Sequence, residues 1–246
     1  MSDDPNAKLV LPTSAVGAQV ERIGVAYRVW APDHQSLTVL ISSKTTRELR
    51  RPEPPQEQVG PDESIPKFEP DRRLVLERDE NGYFSGFDPD GKEGDLYFFE
   101  SAKGERFPDP ATRFQPHGVH GPSECIDPAS YTWRTTHWER PAWKGQVIYE
   151  LHVGTFTEDG TFLSAIERLD HLAELGVQAI EIMPIADFAG ERNWGYDGVC
   201  LYAPAHSYGR PEELRALIDA AHQRGLMVIL DVVYNHFGPD GNYVRG

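Results

Sequence analysis

The chain has 246 residues, 39% of them hydrophobic, which is enough for one large domain or two smaller ones. With 24 Lys and Arg against 39 Asp and Glu, the formal net charge is −15. Such a chain should repel phosphate backbones and anionic membranes, so nucleic acid and membrane are not expected partners, and a neutral or polar ligand fits better.

We interpret residues 1–107 as an immunoglobulin-like β-sandwich. Apolar and polar residues alternate in IGVAYRVWAP and SLTVLIS, and GDLYFFES is a short run rich in aromatic residues. In RRLVLERDENGYFSGF, the Asn81-Gly82 pair lies between two strand-like runs, which predicts a hairpin. Several short strands separated by turn signals favour a small sandwich of two sheets.

Two stretches interrupt this regularity. Residues 47–71 are proline-rich and charged, which predicts a surface insertion between strands, with a linker between domains as the alternative. Residues 108–145 contain many prolines and aromatic residues with little periodicity. We interpret this second stretch as an irregular connector that packs against the domains on both sides.

Residues 146–246 have the pattern of an α/β domain. The apolar runs VIYELHV, VQAIEIMPI and LMVILDVVY predict buried parallel strands. Between them, FLSAIERLDHLAELG has apolar residues at helical spacing before Gly176, and RPEELRALIDAAHQRG has Pro211 in its first turn and Gly225 at its end. The order β-α-β-α-β predicts an incomplete TIM barrel of about three βα units.

Ligands of such domains bind at the C-terminal ends of the strands, where three segments of this chain lie. The first, HVGTFTEDG, contains His152. The second, residues 186–209, is far longer than the roughly 2–6 residues that such a connection needs. The third is residues 231–236. Aromatic rings and carboxylates together suit sugars, because a pyranose stacks on a ring while its hydroxyls bond to acids and amides. The residues alone therefore predict a carbohydrate-type site.

Each candidate also has a purely structural interpretation. His152 could be a satisfied core histidine, and Glu181 a paired carboxylate facing the barrel interior; the pattern favours both of these. Trp194 and Tyr196 could equally well pack the long loop down. Asp231 could cap the strand end, although ligand contact is slightly favoured.

The N-terminus and the cysteines predict the compartment. The sequence MSDDPNAKLV has no basic region followed by an apolar stretch, so we expect no signal peptide. No run approaches the roughly 18 apolar residues of a membrane span. Cys125 and Cys200 have no metal-type spacing, and reduced thiols are favoured over a disulfide or a reactive thiol. We expect a cytoplasmic protein.

Several motifs resemble the α-amylase superfamily, glycoside hydrolase family 13. DVVYNH at residues 231–236 resembles its first signature segment, and NWGYDGV at residues 193–199 resembles the strand-two loop of members with an N-terminal β-sandwich. YELHVGTFTEDGTF and PDPATRFQPHGVHGPSE are similar to the subfamily that releases trehalose from maltooligosyltrehalose. The resemblance begins at about residue 22 and is poorest at 47–71.

The resemblance implies a role for each site residue. Tyr196 would stack under the sugar at the cleavage subsite, and His236 would hydrogen-bond that sugar near its 6-hydroxyl. Asp231 would orient a catalytic arginine. The other implied substrate-binding residues line the pocket or brace the strand end: Trp194, Asp197 and Asn235. The resemblance implies neither a cofactor nor a metal.

The implied activity is retaining hydrolysis of the α-1,4 bond next to the terminal trehalose of maltooligosyltrehalose. Such hydrolysis needs two carboxyl groups about 5–5.5 Å apart. The resemblance places the nucleophile and the acid/base beyond Gly246, so we expect a truncated N-terminal portion that is inactive and poorly soluble alone. The alternatives are a 1,4-α-glucan branching or glycogen debranching enzyme and a non-catalytic α-glucan-binding module. The oligomeric state is not predicted.

Overall fold

A computed structural model of the chain describes residues 15–44 and 68–244. Most of the predicted insertion at 47–71 therefore lies outside the described residues. The N-terminal part of the described chain contains only short strands: β1 (Gly17–Glu21), β2 (Gly24–Trp30), β3 (Leu37–Ser42), β4 (Arg72–Val75), β5 (Glu77–Arg78), β6 (Tyr83–Asp88), β7 (Leu96–Ser101), β8 (Arg106–Phe107) and β9 (Ser123–Glu124).

These strands form two antiparallel sheets that share one core. The first sheet has the order β1-β2-β6-β5, and the second has the order β4-β3-β7-β8 with β9 paired to β7. Successive side chains of a strand point to opposite faces, so the alternating apolar residues of each strand lie on one face, which packs inward. The shared core is built from apolar residues of four strands: Val25, Tyr27, Val29, Leu37, Val39, Ile41, Phe84, Tyr97 and Phe99.

The predicted hairpin at Asn81-Gly82 is confirmed. It joins β5 to β6, and Gly82 has a φ of +82°, a conformation that glycine adopts without steric cost. The Asp79 carboxylate accepts hydrogen bonds from the backbone N–H groups of Asn81 and Tyr83, both at 2.9 Å. Asp79 thus closes the turn that the asparagine and glycine permit.

The second part of the described chain alternates strands with helices. The strands are β10 (Ile148–Leu151), β11 (Ala179–Ile182), β12 (Ala186–Asp187), β13 (Cys200–Pro204) and β14 (Met227–Leu230). The helices are α1 (Val153–Phe156), α2 (Phe162–Ile166), α3 (Leu169–Leu175) and α4 (Pro211–Gln223). β10, β11 and β14 form a parallel sheet in that order. Its core joins Ile180 and Ile182 of β11 to Leu169, Leu172 and Leu217 of the helices.

The stretch between the two cores is nearly free of regular structure and is attached to both of them. Its strand β9 pairs with β7 of the sandwich. On the other side, the Glu124 carboxylate accepts a hydrogen bond from the Arg210 guanidinium at 2.6 Å. The buried Asp219 carboxylate of α4 accepts the backbone N–H groups of Arg134 at 2.8 Å and Thr135 at 2.9 Å, and the Tyr131 hydroxyl at 3.2 Å. Desolvation opposes ionisation of Asp219, but these donors outweigh it and hold its pKa at about 2.

Three departures of the structure from the predicted elements concern the α/β part. The single predicted helix before Gly176 is two helices, because Glu167 and Arg168 donate to carbonyls three residues back, which tightens the chain between α2 and α3. The predicted strand 226–234 ends at Leu230, since the Asp231 carboxylate then takes the N–H of Val232. The long connection 186–209 contains the β12–β13 hairpin.

The poor solubility expected of the 246 residues alone would arise from an open sheet with Val228, Leu230 and Val232 along an exposed edge. Leu230 is 48% exposed and Val232 44% exposed, but Val228 packs against the core beneath α4, so this expectation is wrong for Val228. Within the part of the chain that the structure describes, no helix is both long and apolar enough to cross a membrane. Cys125 and Cys200 are buried free thiols, as favoured from the sequence.

Candidate functional site

The loop that carries Trp194 and Tyr196 is folded around one side chain, Asn193. Its Oδ1 accepts three backbone N–H groups, from Gly195 at 2.9 Å, Tyr196 at 3.2 Å and Asp197 at 3.3 Å. Gly195 has a φ of +104°, and a Cβ there would lie 2.9 Å from Pro184 Cδ. The tight turn leaves both rings open to solvent: Trp194 is 71% exposed and Tyr196 54% exposed.

His152, at the end of β10, supports this loop from below. Its Nε2 lies 2.6 Å from the Asn193 carbonyl oxygen, so Nε2 carries the proton and donates it. Its Nδ1 then accepts from the Thr155 hydroxyl at 3.3 Å. The ring also meets Trp194 edge to face, with centroids 5.9 Å apart. Both ring nitrogens of His152 thus have hydrogen-bond partners within the protein, as expected for the structural histidine that the sequence pattern favoured. His152 positions the loop.

Tyr208 completes the support beneath the loop. Its hydroxyl oxygen lies 3.2 Å from His152 Nε2, and its ring packs on Phe162 and Phe188. Burial raises the pKa of Tyr208 to about 12, so the phenol stays neutral near neutral pH. Tyr208 therefore adds no charge beneath the loop.

The segment after β14 is fixed against the same loop. His236 Nε2 donates to the Tyr196 carbonyl at 2.8 Å, which leaves Nδ1 as the ring nitrogen available to a ligand hydroxyl. Gly238 N–H donates to the Gly198 carbonyl at 3.1 Å, and a Cβ on Gly238 would lie 2.1 Å from the Asp197 carbonyl oxygen. Only glycine permits this close approach of the two segments.

The remaining predicted site residues lie at the same end of the sheet. Asp231 continues the β14 ladder, with its N–H donating to the Ile182 carbonyl at 2.9 Å, and its exposed carboxylate accepts the Val232 N–H at 2.7 Å. Asp197 and Asn235 are exposed, and among the described residues the Asn235 side chain makes no hydrogen bond. The structure thus brings His236 to the Tyr196 loop and sets Asp231 at the adjoining strand end.

Sequence reasoning missed Asn193 as a functional residue. The available signal was an asparagine two residues before a glycine, since asparagine side chains commonly accept backbone N–H groups in turns. Because Asn193 Oδ1 is used by three backbone N–H groups of the loop, we infer that Asn193 positions Trp194 and Tyr196 rather than contacting a ligand.

A small cavity of about 140 Å³ adjoins this site. Asp231 lines it together with Gly195 and Gly198 of the Tyr196 loop, whereas Trp194, Tyr196 and His236 do not. Among the described residues, no group of three or more His, Cys, Asp or Glu is arranged to hold a metal ion.

Comparison with known proteins agrees with this geometry. Residues 128–246 match the family described as "Alpha amylase, catalytic domain". The malto-oligosyltrehalose trehalohydrolase of Saccharolobus solfataricus is 42% identical over 228 residues, covering 93% of this chain and 36% of that protein. The 1,4-alpha-glucan branching enzyme GlgB of Aliivibrio fischeri is 31% identical over 190 residues, covering 70% of this chain and 26% of that protein.

A solved structure is also similar across nearly the whole chain. The crystal structure titled as a putative alpha amylase from Salmonella typhimurium has a TM-score of 0.79 and 41% identity, covering 94% of this chain and 35% of that one. This chain thus spans about a third of the length of the proteins it matches. The chain belongs to the α-amylase superfamily, and within it is similar to a portion of the malto-oligosyltrehalose trehalohydrolases.

Proposed function

We propose that the protein is a retaining glycoside hydrolase that cleaves the α-1,4 bond next to the terminal trehalose of maltooligosyltrehalose and releases trehalose. The observation that carries the proposal is the pair of exposed rings, Trp194 and Tyr196, held beside His236 at the C-terminal end of a parallel sheet. Similarity to proteins named trehalohydrolases supports this choice of substrate over other α-glucans.

Each site residue has a role that its position allows. Tyr196 stacks on the sugar at the point of cleavage, since its ring is exposed and its backbone is fixed by Asn193 and His236. His236 accepts a hydrogen bond from a sugar hydroxyl through Nδ1. Asp231 orients a cationic group of the catalytic machinery. The remaining side chains that we assign to substrate binding are exposed at the same end of the sheet: Trp194, Asp197 and Asn235.

The proposal includes an architecture. Residues 1–107 form an immunoglobulin-like, carbohydrate-binding-module-like sandwich, residues 108–145 a connector, and residues 146–246 the first βα units of a TIM barrel. The nucleophile and the acid/base lie outside these 246 residues, as the resemblance implies, so the 246 residues alone are inactive. The protein acts in the cytoplasm, without a metal or cofactor.

The test is a product assay on the protein at the length that its gene encodes. The enzyme is incubated with maltotriosyltrehalose, and free trehalose is quantified by chromatography. We expect trehalose release, and we expect Tyr196→Ala to lower kcat/KM by about tenfold or more, because a stacking contact at the reacting sugar is lost. Trp143→Ala is the matched control, since Trp143 is exposed and precedes β10, whereas the candidate site lies where the strands end.

Other products would select another function. A change in the branching of a soluble glucan, with no free trehalose, would favour the activity named for the similar branching enzyme. Binding of maltooligosaccharides without any cleavage would favour a non-catalytic α-glucan-binding module. Trehalose release by the 246 residues alone would contradict the placement of the catalytic carboxyl groups.

A further inference from the structure

A large groove lies between the β-sandwich and the loops of the α/β part. Its volume is about 1130 Å³, above the roughly 300–1,000 Å³ typical of sites for single small ligands. The sandwich contributes the ends of β2 and β7 and the strand β8, and the opposite wall comes from β13 and the segment after β14. The groove therefore has the size and open shape of a site for an extended ligand.

Aromatic side chains stand on both walls of the groove. Trp30 is exposed at the end of β2, and its indole N–H donates to the Asn81 carbonyl at 3.2 Å, which fixes the orientation of the ring. Tyr202 is exposed on the opposite wall, together with Phe237. Exposed and fixed aromatic rings can stack on the apolar faces of sugars with little loss of side-chain entropy.

The charges in the groove are mixed, which favours a neutral ligand. The lining includes the acids Asp33 and Glu105 and the cations Lys103 and Arg106, in close succession along the sandwich wall. An anionic or cationic polymer would meet repulsive groups along the groove. A polyhydroxy chain, in contrast, can hydrogen-bond to groups of either sign.

The groove adjoins the candidate site through β13. Leu201 and Tyr202 of β13 line the groove and also line the small cavity that Asp231 and the Tyr196 loop border. On the other side, Phe237 lines the groove and follows His236 in the chain. Both segments that hold the candidate site thus extend into this surface, so one linear ligand could contact both.

We propose that this groove binds the maltooligosaccharide part of the substrate, as a linear α-1,4-glucan segment extending from the sugar held at Tyr196. Trp30 and Tyr202 stack on successive glucose units from opposite walls. This inference rests on the proposed function and assigns it a chain-length preference: longer glucans bind more tightly because they reach the groove.

The experiment measures calorimetric binding of maltoheptaose and maltotriose to the chain and its variants. We expect Trp30→Ala to raise the Kd for maltoheptaose by about tenfold and to leave that for maltotriose unchanged. Trp30→Tyr should restore most of the loss, because a ring remains available for stacking. Trp143→Ala, an exposed tryptophan outside the groove, should bind both sugars normally.

Tyr202→Ala tests the opposite wall and replaces Trp30→Ala if that variant fails to fold. The inference is overturned if the folded variant, Trp30→Ala or Tyr202→Ala, binds maltoheptaose with an unchanged Kd. It is also overturned if the variant loses affinity for maltoheptaose and maltotriose equally. If Tyr196→Ala still weakens binding in that case, the proposed function survives without the groove. If the unsubstituted chain binds neither sugar, both the groove and an α-glucan site in this chain are refuted.

Discussion

At the residue scale, Asp109 shows how burial sets a proton equilibrium in this fold. It is buried at the junction of the sandwich and the connector, where the Tyr97 hydroxyl donates to Oδ2 at 2.7 Å and the Ala111 N–H donates to Oδ1 at 2.8 Å. Burial raises the pKa of Asp109 from 3.8 to about 6, and the two hydrogen bonds and Arg113 only partly oppose this.

The raised pKa of Asp109 predicts that it favours folding at low pH. Between about pH 4 and pH 6 the folded chain binds a proton that the unfolded chain has released, so the free energy of unfolding falls as pH rises, by up to about 3 kcal/mol. Asp109→Asn removes this contribution. The free energy of unfolding of the variant minus that of the unsubstituted chain should therefore increase from pH 4 to pH 7, as measured by urea unfolding at each pH.

An exposed acid provides the control for this measurement. Asp159→Asn also replaces one carboxylate by an amide, at the exposed surface, and controls for the loss of one negative charge. Parallel stability curves for the unsubstituted chain and Asp109→Asn would contradict the assignment of a raised pKa to this carboxyl group.

At the element scale, hydrophobic patterning predicted most strands and helices. Alternation located β2 and β3, and Pro211 and Gly225 bounded α4, because these signals act within the element itself. The break between α2 and α3 was not predictable in this way, since the apolar spacing continues through Glu167 and Arg168 while the hydrogen bonding changes. The β12–β13 hairpin was missed because its pairing joins residues far apart in the long connection.

The same limit applies to the candidate site. Motifs located Asp231, His236 and Tyr196, which lie together at one end of the sheet. The hydrogen bond between His152 and the Asn193 carbonyl joins two distant segments, and no local pattern records it. The N–H groups that Asn193 accepts are local, and their signal in the sequence was the asparagine two residues before a glycine. Motifs thus located the side chains that face a ligand, whereas the hydrogen bonds that shape the loop were found only in the structure.

The strand-two loop should depend on the Asn193 acceptor. Asn193→Ala leaves three backbone N–H groups without their partner, so we expect looser rings at Trp194 and Tyr196 and a Kd for maltotriose raised about tenfold. Asn193→Asp keeps an acceptor oxygen at the same position and should retain most of the affinity. Calorimetry on the two variants measures the difference.

The pair of variants separates positioning from general stability. Both variants should lower the free energy of unfolding by no more than about 1–2 kcal/mol, as expected for a change at a half-buried polar residue. Equal weakening by Ala and Asp, or normal binding by Asn193→Ala, would show that the loop does not rely on this oxygen.

At the scale of the whole molecule, a connector joins the two cores. It is hydrogen-bonded to Asp219 of α4, and its Glu124 is ion-paired to Arg210, the residue that precedes α4. The sandwich protects its apolar residues between two sheets. The parallel sheet is less protected, because β10 and β14 are both edge strands with exposed apolar side chains, Ile148 and Tyr149 on β10 and Leu230 on β14. An exposed edge strand with apolar side chains is a template for association between chains.

Self-association of the 246-residue chain should therefore occur through these edges, β14 among them, despite a net charge of −15. Leu230→Lys places a charge on the exposed edge and should lower the apparent mass in light scattering at high protein concentration. Leu175→Lys makes the same charge change at an exposed leucine on α3, away from the sheet edge, and should associate like the unsubstituted chain. If both variants reduce association equally, net charge rather than the β14 edge controls it, and the edge has no special role.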